Sequence, residues 1–244
     1  MIYNSLYTSD AKITKDNEGV KGGMITFENE SYYQISNVDQ MRPFFMSIVS
    51  HSNHWMFISS NGGLSAGRQN SGSSLFPYYT DDKITEAADV TGSKTILQIN
   101  KGGDKLVWEP FSFRNANDYS VTRNLYKNIY GNKVVFEEVN NDLGLTFRYH
   151  WNSSDKFGFV KKSTIENTSG ANIEVSVLDG IQNILPYGLN ADLQNAYSNL
   201  VDAYKKSELE ADSGLGIFAL SAIIVDRAEP SESCLLYTSD AADD

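Results

Sequence analysis

Two pairs of adjacent acidic residues are the first groups in this sequence that could do chemistry, Asp81 with Asp82 and Glu137 with Glu138. Cleavage of a glycosidic bond requires two carboxyl groups that face each other across the bond, about 5 to 10 Å apart. Neighbouring residues on a strand point to opposite faces of a sheet, so neither pair can form such a dyad by itself. The simpler interpretation is that all four carboxylates are solvated charges.

The three histidines offer little to a metal site or to acid–base chemistry. His51 and His54 stand at predicted strand edges and face opposite sides, and His150 is far along the chain. Zinc needs clustered ligands, and the single cysteine, Cys234, lies near the C-terminus. A ring-opening epimerase would need a histidine and a carboxylate paired in one cleft. We therefore expect no metal and no cofactor.

The glycine-rich segment NGGLSAGRQN (61–70) is similar to a phosphate-binding loop in its spacing only. Gly62 is followed after four residues by Gly67 and Arg68, whereas that motif requires lysine and then serine or threonine to hold the phosphates and magnesium. Nucleotide binding is therefore not predicted. We interpret the segment as a glycine-rich connection after a strand, from which Arg68 could present its guanidinium to a sugar hydroxyl or an anion.

Aromatic residues form the more suggestive set, because their faces can stack on sugar rings as well as fill a sandwich core. The candidates are Trp55, Phe76, Tyr78, Tyr79, Trp108, Phe111 and Tyr130. For any single ring, core packing is the more common role. The segment LFPYYTDDK (75–83) is the exception, because it reads as a loop, and loops carry function more often than strands.

Composition and charge exclude several classes of partner. The chain has 244 residues, a formal net charge of −11 and basic residues scattered along its length, so we expect it to bind neither nucleic acid nor a membrane surface. No stretch approaches the roughly 18 apolar residues of a membrane span. The N-terminus lacks the basic start and apolar run of a signal peptide, so a cytoplasmic location is expected.

Alternation of apolar and polar residues predicts strands joined by turns, and hence an all-β antiparallel sandwich rather than a parallel sheet. The predicted strand regions are 23–37, 43–50, 54–60, 94–110, 132–151 and 157–186. The last three contain the turn segments NKGGDK, NNDLG and NTSGAN. A short helical turn is predicted at 191–196, followed by two strands around EADSG, although Leu193, Tyr197 and Tyr204 also fit the spacing of a longer helix.

Several stretches resemble the N-terminal β-sandwich domain of the cellobiose phosphorylase family, the inverting glycoside phosphorylases. They are SYYQISNVDQMRPFFMSIVSHSNHWMFISSNGGLSAGRQN, KLVWEPF, NLYKNIYGNKVVFEEVNNDLGLTFRYHW and FGFVKKSTIENTSGANIEVSVLDGIQNIL. The resemblance covers about residues 20–186 and extends less clearly to 230. At an Arg-Pro-aromatic step, Phe44 stands where the family usually has tryptophan.

This resemblance implies a galactose mutarotase-like antiparallel supersandwich with at most one or two short helices. It places catalysis in a following helical barrel, where a carboxylic acid protonates the glycosidic oxygen of a β-linked oligosaccharide while inorganic phosphate attacks the anomeric carbon. The sandwich then supplies a docking surface for its own barrel, a contact in a possible homodimer and a loop over the sugar. Arg68, Tyr78, Tyr79 and Arg123 are the candidates for that loop, and no catalytic residue is expected in this chain.

The hexapeptide LYTSDA occurs at 6–11 and again at 236–241. A structural repeat should extend over roughly 20 to 50 residues, and nothing else recurs. Residues 234–244 can be back-translated into the adapter of a transposase-based sequencing library. We therefore expect 234–244 to be a translated adapter and 1–233 to be the N-terminal supersandwich domain of a larger enzyme. The alternative is a stand-alone sugar-binding or adhesive β-sandwich module without a catalytic partner.

Overall fold

The computed structural model describes residues 6–8, 11–13, 19–77, 83–115 and 117–222. Two of the candidate sugar-binding residues, Tyr78 and Tyr79, lie outside the described residues, as do Asp81, Asp82 and the expected adapter at 234–244. The described part of the chain consists mainly of antiparallel strands with two short α-helices. The predicted all-β class is therefore confirmed.

The elements follow one another along the chain without long helical interruptions. The first strands are β1 (Leu6–Thr8), β2 (Ala11–Ile13), β3 (Lys21–Phe27), β4 (Glu30–Ser36), β5 (Phe45–Ile48), β6 (His54–Ser59), β7 (Leu64–Arg68), β8 (Gly92–Lys101) and β9 (Asp104–Trp108). The next are β10 (Val121–Asn128), β11 (Val134–Asn140), β12 (Leu145–Ser154), β13 (Gly158–Asn167) and β14 (Glu174–Gln182). The described chain ends with α1 (Ala191–Ala196), α2 (Ser198–Tyr204), β15 (Lys205–Glu210) and β16 (Leu215–Leu220).

Contacts between residues divide the chain into two compact units. Unit 1 contains residues 1–44 and 96–177, and unit 2 contains residues 45–95 and 178–244. Each unit is thus assembled from two separate stretches of sequence. β8 and β14 are the strands in which the chain passes from one unit to the other.

Unit 1 contains a six-stranded sheet with the order β13–β12–β11–β10–β4–β3. One face of this sheet is a buried layer of large side chains: Leu125, Phe136, Phe147, Tyr149 and Trp151. The indole of Trp108 on β9 donates a hydrogen bond to Glu138 on β11 at 2.9 Å. β9 therefore covers this face as part of the second layer of a sandwich.

Glycine at positive φ closes two hairpins at the predicted places. Gly102 and Gly103 join β8 to β9 with φ of 64° and 95°. Gly144 precedes β12 with φ of 66°, and an added Cβ would lie 2.7 Å from the Ser169 side chain. Both turns need a positive φ, which residues with a Cβ rarely adopt. The glycines therefore allowed the turns to be predicted from the local sequence.

The predicted strand region 23–37 lies in the hairpin of β3 and β4, which turns at Glu28 and Asn29 with φ of 46° and 65°. Residues 157–186 contain two strands as predicted, but β13 lies in the six-stranded sheet and β14 pairs with β8. Alternation identifies a strand and its faces, whereas the choice of partner depends on contacts distant in sequence.

Unit 2 contains the three-stranded sheet β5–β6–β7 and the hairpin of β15 and β16. The segment interpreted as a glycine-rich connection is instead a tight turn followed by β7, in which Leu64 and Ala66 are buried. The predicted helical turn at 191–196 is confirmed as α1. The first part of the next predicted strand is the helix α2, and the strand β15 begins only at Lys205. In α2, Val201 is buried in a core cluster with Leu185, Leu189 and Leu220.

Candidate functional site

One face of the sheet β5–β6–β7 is aromatic, and the opposite face belongs to the core. The register sets Phe57 against Ser47 and Ser65. Side chains two apart on a strand share a face, so Trp55 and Phe57 lie together, with Phe45 beside them on β5. The residues between them point the other way into the core and are buried: Met46, Ile48, Met56, Ile58, Leu64 and Ala66.

The three rings of the aromatic face form a continuous row. The centroids of Phe45 and Phe57 are 6.4 Å apart with an edge-to-face angle of 71°. Those of Phe57 and Trp55 are 6.1 Å apart with a tilt of 43°. Phe45 is 64% exposed and Phe57 42% exposed. Contiguous apolar rings on a surface mark interaction sites, whereas single exposed apolar residues are common and need no explanation.

Two neighbours hold Trp55 in a fixed position. Its indole nitrogen donates a hydrogen bond to the carbonyl of Asn70 at 3.2 Å. The ring lies on Gly67, where an added Cβ would come within 2.3 Å of the indole carbon Cζ2. The indole therefore rests on bare backbone, and only glycine permits this approach. The geometry of the row is set before any ligand arrives.

The row opens into a groove of about 590 Å³, which we call the aromatic groove. Its described lining residues are Phe45, Trp55, Phe57, Ser65, Asn70, Ser71 and Ile84. This volume lies in the range of small-molecule sites, about 300 to 1,000 Å³. The lining combines apolar rings with a few neutral polar groups, which is the usual composition of a site for an amphipathic ligand.

Local hydrogen bonds fix both walls of the aromatic groove. Asn70 caps the short turn 71–73 by accepting a hydrogen bond from the Ser73 amide at 3.2 Å. On the other side, Asn61 donates to the carbonyl of Thr85 at 2.7 Å, beside Ile84. An added Cβ at Gly63 would lie 2.2 Å from the carbonyl oxygen of Ile84, so this wall is packed closely against the turn.

The two described candidates for sugar binding lie away from this groove. Arg68 ends β7 two residues after Ala66 and shares its face of the strand, which is the face opposite to the rings. Arg123 lies in strand β10 rather than in a loop. Its guanidinium contacts a carboxylate oxygen of Glu138 at 2.7 Å and the carbonyl of Ser112 at 3.0 Å. A direct role of either arginine toward a sugar stays a prediction.

The prediction that Glu137 and Glu138 are solvated charges is wrong. Glu137 is 5% exposed and Glu138 is 1% exposed. They do lie on opposite faces of β11, as alternation requires. Glu138 accepts hydrogen bonds from the Trp108 indole at 2.9 Å, the Phe111 amide at 2.7 Å and Arg123 at 2.7 Å. A buried carboxylate is tolerated only with such partners.

Glu137 is held by a second set of partners on the other face of β11. The hydroxyl of Tyr126 donates to it at 2.6 Å, the amide of Asn124 at 2.7 Å and the guanidinium of Arg148 at 2.5 Å. Burial opposes ionisation, but these hydrogen bonds outweigh it and lower the pKa of Glu137 below its ordinary value. Arg148 also donates to Glu166 at 2.7 Å.

A histidine–carboxylate pair occurs where the sequence did not indicate one. His150 Nδ1 lies 4.0 Å from a carboxylate oxygen of Glu28, at the tip of the hairpin of β3 and β4. Lys162 contacts the other oxygen at 3.3 Å. Burial lowers the pKa of His150, which favours its neutral form. Because the carboxylate is shared with a lysine, the pair serves to tie the hairpin tip to β12 and β13.

Sequence reasoning singled out Trp55 but missed Phe45 and Phe57. A signal was present, because Trp55 and Phe57 stand two apart in HWMFIS and share one face. Met56 and Ile58, however, alternate with them and are equally apolar. The sequence alone could not decide which of the two faces would be buried.

Among the described residues, no helix is both long and apolar enough to span a membrane. The same part of the chain contains no group of three or more histidine, cysteine, aspartate or glutamate side chains that could hold a metal ion. No family model and no curated protein sequence matches the chain. The resemblance to the glycoside phosphorylases therefore stays a prediction.

Proposed function

We propose that the chain is a carbohydrate-binding domain and that the aromatic groove is its sugar site. The observation that carries this proposal is the row of rings formed by the exposed Phe45 and Phe57 and the half-buried Trp55. A pyranose ring has apolar C–H groups on its faces and hydroxyls around its edge. Aromatic faces are electron-rich and attract such C–H groups, while neutral polar groups at the rim, such as Asn70 and Ser71, can bond the hydroxyls.

The rigidity of the groove supports a binding role. Trp55 is fixed by Gly67 and by the carbonyl of Asn70, and both walls are held by hydrogen bonds. A site that is already ordered loses less conformational entropy when a ligand binds. The flat backbone support of Trp55 also keeps the indole from turning into the core.

The wider proposal follows from the sequence resemblance. The domain would serve a cytoplasmic enzyme similar to the glycoside phosphorylases, which cleaves a β-glycosidic bond with inorganic phosphate in a separate helical barrel. In the described residues, both Glu137 and Glu138 are fully engaged by protein donors. This supports a role of the sandwich in binding rather than in proton transfer. A stand-alone sugar-binding or adhesive module is the alternative.

Tryptophan fluorescence tests the sugar site directly. Trp108 and Trp151 are 2% and 1% exposed, so of the three tryptophans only Trp55 can respond to a ligand in the groove. We expect β-linked gluco-oligosaccharides to change its emission. Titration calorimetry should show affinity at least about tenfold weaker in Trp55→Ala and in Phe57→Ala, since a stacked ring is a main source of binding energy.

Phe157→Ala is the matched control, because Phe157 is 72% exposed and belongs to unit 1. It should bind like the unaltered chain. Unchanged affinity in Trp55→Ala would refute the sugar site. The wider proposal has its own test, phosphate-dependent release of a sugar phosphate by a protein that carries the barrel. If that release is absent, phosphorolysis is wrong and the binding site still stands.

A further inference from the structure

One strained residue stands directly beside the aromatic groove. Gln69 has a φ of 65°, in the left-handed region that residues with a side chain seldom adopt. The Asn70 amide donates to the carbonyl of Arg68 at 2.7 Å, so the three residues form a γ-turn with positive φ at its centre. Turns of this kind are rare and strained. Strain persists only where the surrounding structure imposes it, and it concentrates at functional sites.

The side chain of Gln69 does not account for this strain. Among the described residues that are neither glycine nor asparagine, positive φ occurs at Glu28, Phe111 and Gln69. The carboxylate of Glu28 contacts Lys162 at 3.3 Å, and the ring of Phe111 packs edge-to-face on Tyr149. The Gln69 side chain is exposed and has no hydrogen-bond partner among the described residues. The turn therefore serves the backbone around Gln69 rather than its own side chain.

The turn at Gln69 places Asn70 against the indole of Trp55. The Gln69 amide donates to the carbonyl of Asn53 at 2.8 Å, which anchors the turn to the residue before β6. From there the carbonyl of Asn70 accepts the hydrogen bond of the Trp55 indole at 3.2 Å. A residue with negative φ at position 69 would send the chain in another direction and break this contact.

Three of the four hydrogen-bonding groups of Asn70 are used within the protein. Its amide donates to Arg68, its carbonyl accepts from Trp55, and Oδ1 accepts from the Ser73 amide at 3.2 Å. The Ser73 amide is a donor, so the side-chain atom that faces it is the oxygen. Nδ2 has no partner among the described residues, and Asn70 is exposed at the lining of the groove. Asn70 therefore offers two N–H donors at the rim.

We propose that Asn70 determines the specificity of the aromatic groove and that Gln69 is its positioning residue. This inference rests on the sugar site proposed above. The other polar side chains among the described lining residues are Ser65 and Ser71, whose hydroxyls can both donate and accept. Nδ2 of Asn70 can only donate. It requires an oxygen acceptor on the ligand, beside the face that stacks on Trp55.

The Asn70 donor selects against ligands that leave it unpaired. A purely apolar ligand would cover Nδ2 and remove it from water without a partner, which is unfavourable. A site built to bond an oxygen therefore rejects an analogue that lacks it. No described lining residue of the groove is charged, so an ionic ligand would lose hydration without meeting a counter-charge. The substrate class that fits is a neutral sugar with an oxygen at the edge of its stacked face.

Asn70→Ser tests the donor without disturbing the turn. Serine caps a helical turn about as well as asparagine, but it has no amide to present to the groove. Aspartate is less suitable, because its carboxylate could accept from a sugar hydroxyl and replace the lost bond. Calorimetric titration with cellotetraose, a β-linked gluco-oligosaccharide, should show binding about three- to tenfold weaker in Asn70→Ser. The emission of Trp55 in the free protein should not change, since the carbonyl of residue 70 stays in place.

Asn190→Ser is the matched control for this substitution. Asn190 caps α1 in the same way, by accepting a hydrogen bond from the Leu193 amide, and it is not among the described lining residues of the groove. This variant should bind cellotetraose like the unaltered chain.

Gln69→Val and Gln69→Gly test the positioning role. Valine is β-branched and rarely adopts a positive φ, whereas glycine adopts it readily. Gln69→Val should shift Trp55 emission in the free protein and weaken cellotetraose binding by at least about tenfold, since both the indole and the donor are displaced. Gln69→Gly should bind like the unaltered chain. In an Asn70→Ser background, Gln69→Val should cause a smaller further loss, because part of its effect acts through the amide of Asn70.

The outcomes distinguish this inference from the sugar site itself. If the unaltered chain and Asn70→Ser bind cellotetraose equally, the role of Asn70 is overturned and the stacking site stands. Equal binding by Gln69→Val and Gln69→Gly would overturn the positioning role in the same way. A chain that binds no neutral oligosaccharide at all would overturn both the inference and the proposed function.

Discussion

Unit 1 and unit 2 differ in which side chains they bury and which they expose. In unit 1 the charges are inside: Glu137 and Glu138 are buried on the two faces of β11 with Arg148 and Arg123 as partners. In unit 2 the aromatic rings of one sheet face are outside, while the aliphatic residues of the other face form the core. We call the two glutamates and their donors the charged centre, to compare it with the aromatic groove.

The residues of the charged centre stabilise the fold, whereas those of the aromatic groove are available to a ligand. Each oxygen of both carboxylates in the charged centre accepts a hydrogen bond from the protein. Acidic pairs are the usual candidates for sugar chemistry, yet these two are committed to structure. The rings of the aromatic groove contact each other, and Trp55 also packs on Gly67. These contacts cover only one side of the rings, so the other side can still contact a ligand.

The largest expected effect is the loss of Glu138. Glu138→Ala leaves the guanidinium of Arg123 buried without its counter-charge and removes the acceptor of the Trp108 indole. Breaking a buried ion pair by removing one partner destabilises by about 3 to 5 kcal/mol. Urea denaturation should show this loss in the free energy of unfolding, while the folded fraction should retain its response to oligosaccharides at Trp55.

Lys83→Ala is a suitable control, because Lys83 and Glu86 form an ion pair at 3.8 Å between well-exposed side chains. Such a pair contributes about 0 to 1 kcal/mol. If Glu138→Ala were as mild as Lys83→Ala, the burial of the charged centre would not govern the stability of unit 1, and the contrast with the aromatic groove would lose its basis.

Features set by local backbone chemistry were predictable from the sequence. NKGGDK and NNDLG form turns because glycine adopts the required positive φ. Asn190 caps the N-terminus of α1, where its side chain accepts a hydrogen bond from the Leu193 amide at 2.7 Å. The strands that pair with β13 and β14 could not be predicted. Strands that are neighbours in sequence pair with each other only when no distant strand competes, and here β13 pairs with β12 and β14 with β8.

The site was less accessible to sequence reasoning than the fold. Glu137 and Glu138 read as solvated because acidic residues usually are. Their burial depends on Arg123 and Arg148 standing opposite them in the neighbouring strands, which requires the register to be known. The aromatic groove likewise depends on which apolar face of β6 is covered, and this is decided by the rest of unit 2.

A second effect should follow from changing the charge of Glu137 alone. Glu137→Gln keeps the shape and one acceptor oxygen but turns an amide toward Arg148. Hydrogen bonds to a charged group contribute about 1.5 to 3 kcal/mol, so we expect a loss of about 2 kcal/mol in the free energy of unfolding at neutral pH. Stability measured for both chains by urea denaturation between pH 3 and 7 checks this value.

The pH dependence of that difference has a definite sign. The pKa of Glu137 is lower in the folded chain than its ordinary value of 4.5. Its stabilising contribution is therefore complete above the ordinary pKa and is lost as the pH falls through the lower, folded value. The stability of the two chains should converge in acid. A difference that stayed constant down to about pH 3 would show that the ionised carboxylate of Glu137 is not the source of the difference in stability.

The smallest expected effect probes the support of Trp55 in the aromatic groove. In Gly67→Ala, the new methyl group would lie 2.3 Å from the indole and 2.6 Å from the carbonyl oxygen of Ser73, so both must move. Overpacking of this kind destabilises by about 1 to 2 kcal/mol. Gly180→Ala is the matched control, since no atom lies within 4 Å of its added Cβ. Unlike the glutamate variants, Gly67→Ala should change Trp55 emission and weaken oligosaccharide binding by more than its loss of stability explains. Equal binding by the Gly67 and Gly180 variants would mean that the position of the indole does not matter, and the groove would then be a hydrophobic surface rather than a preformed sugar site.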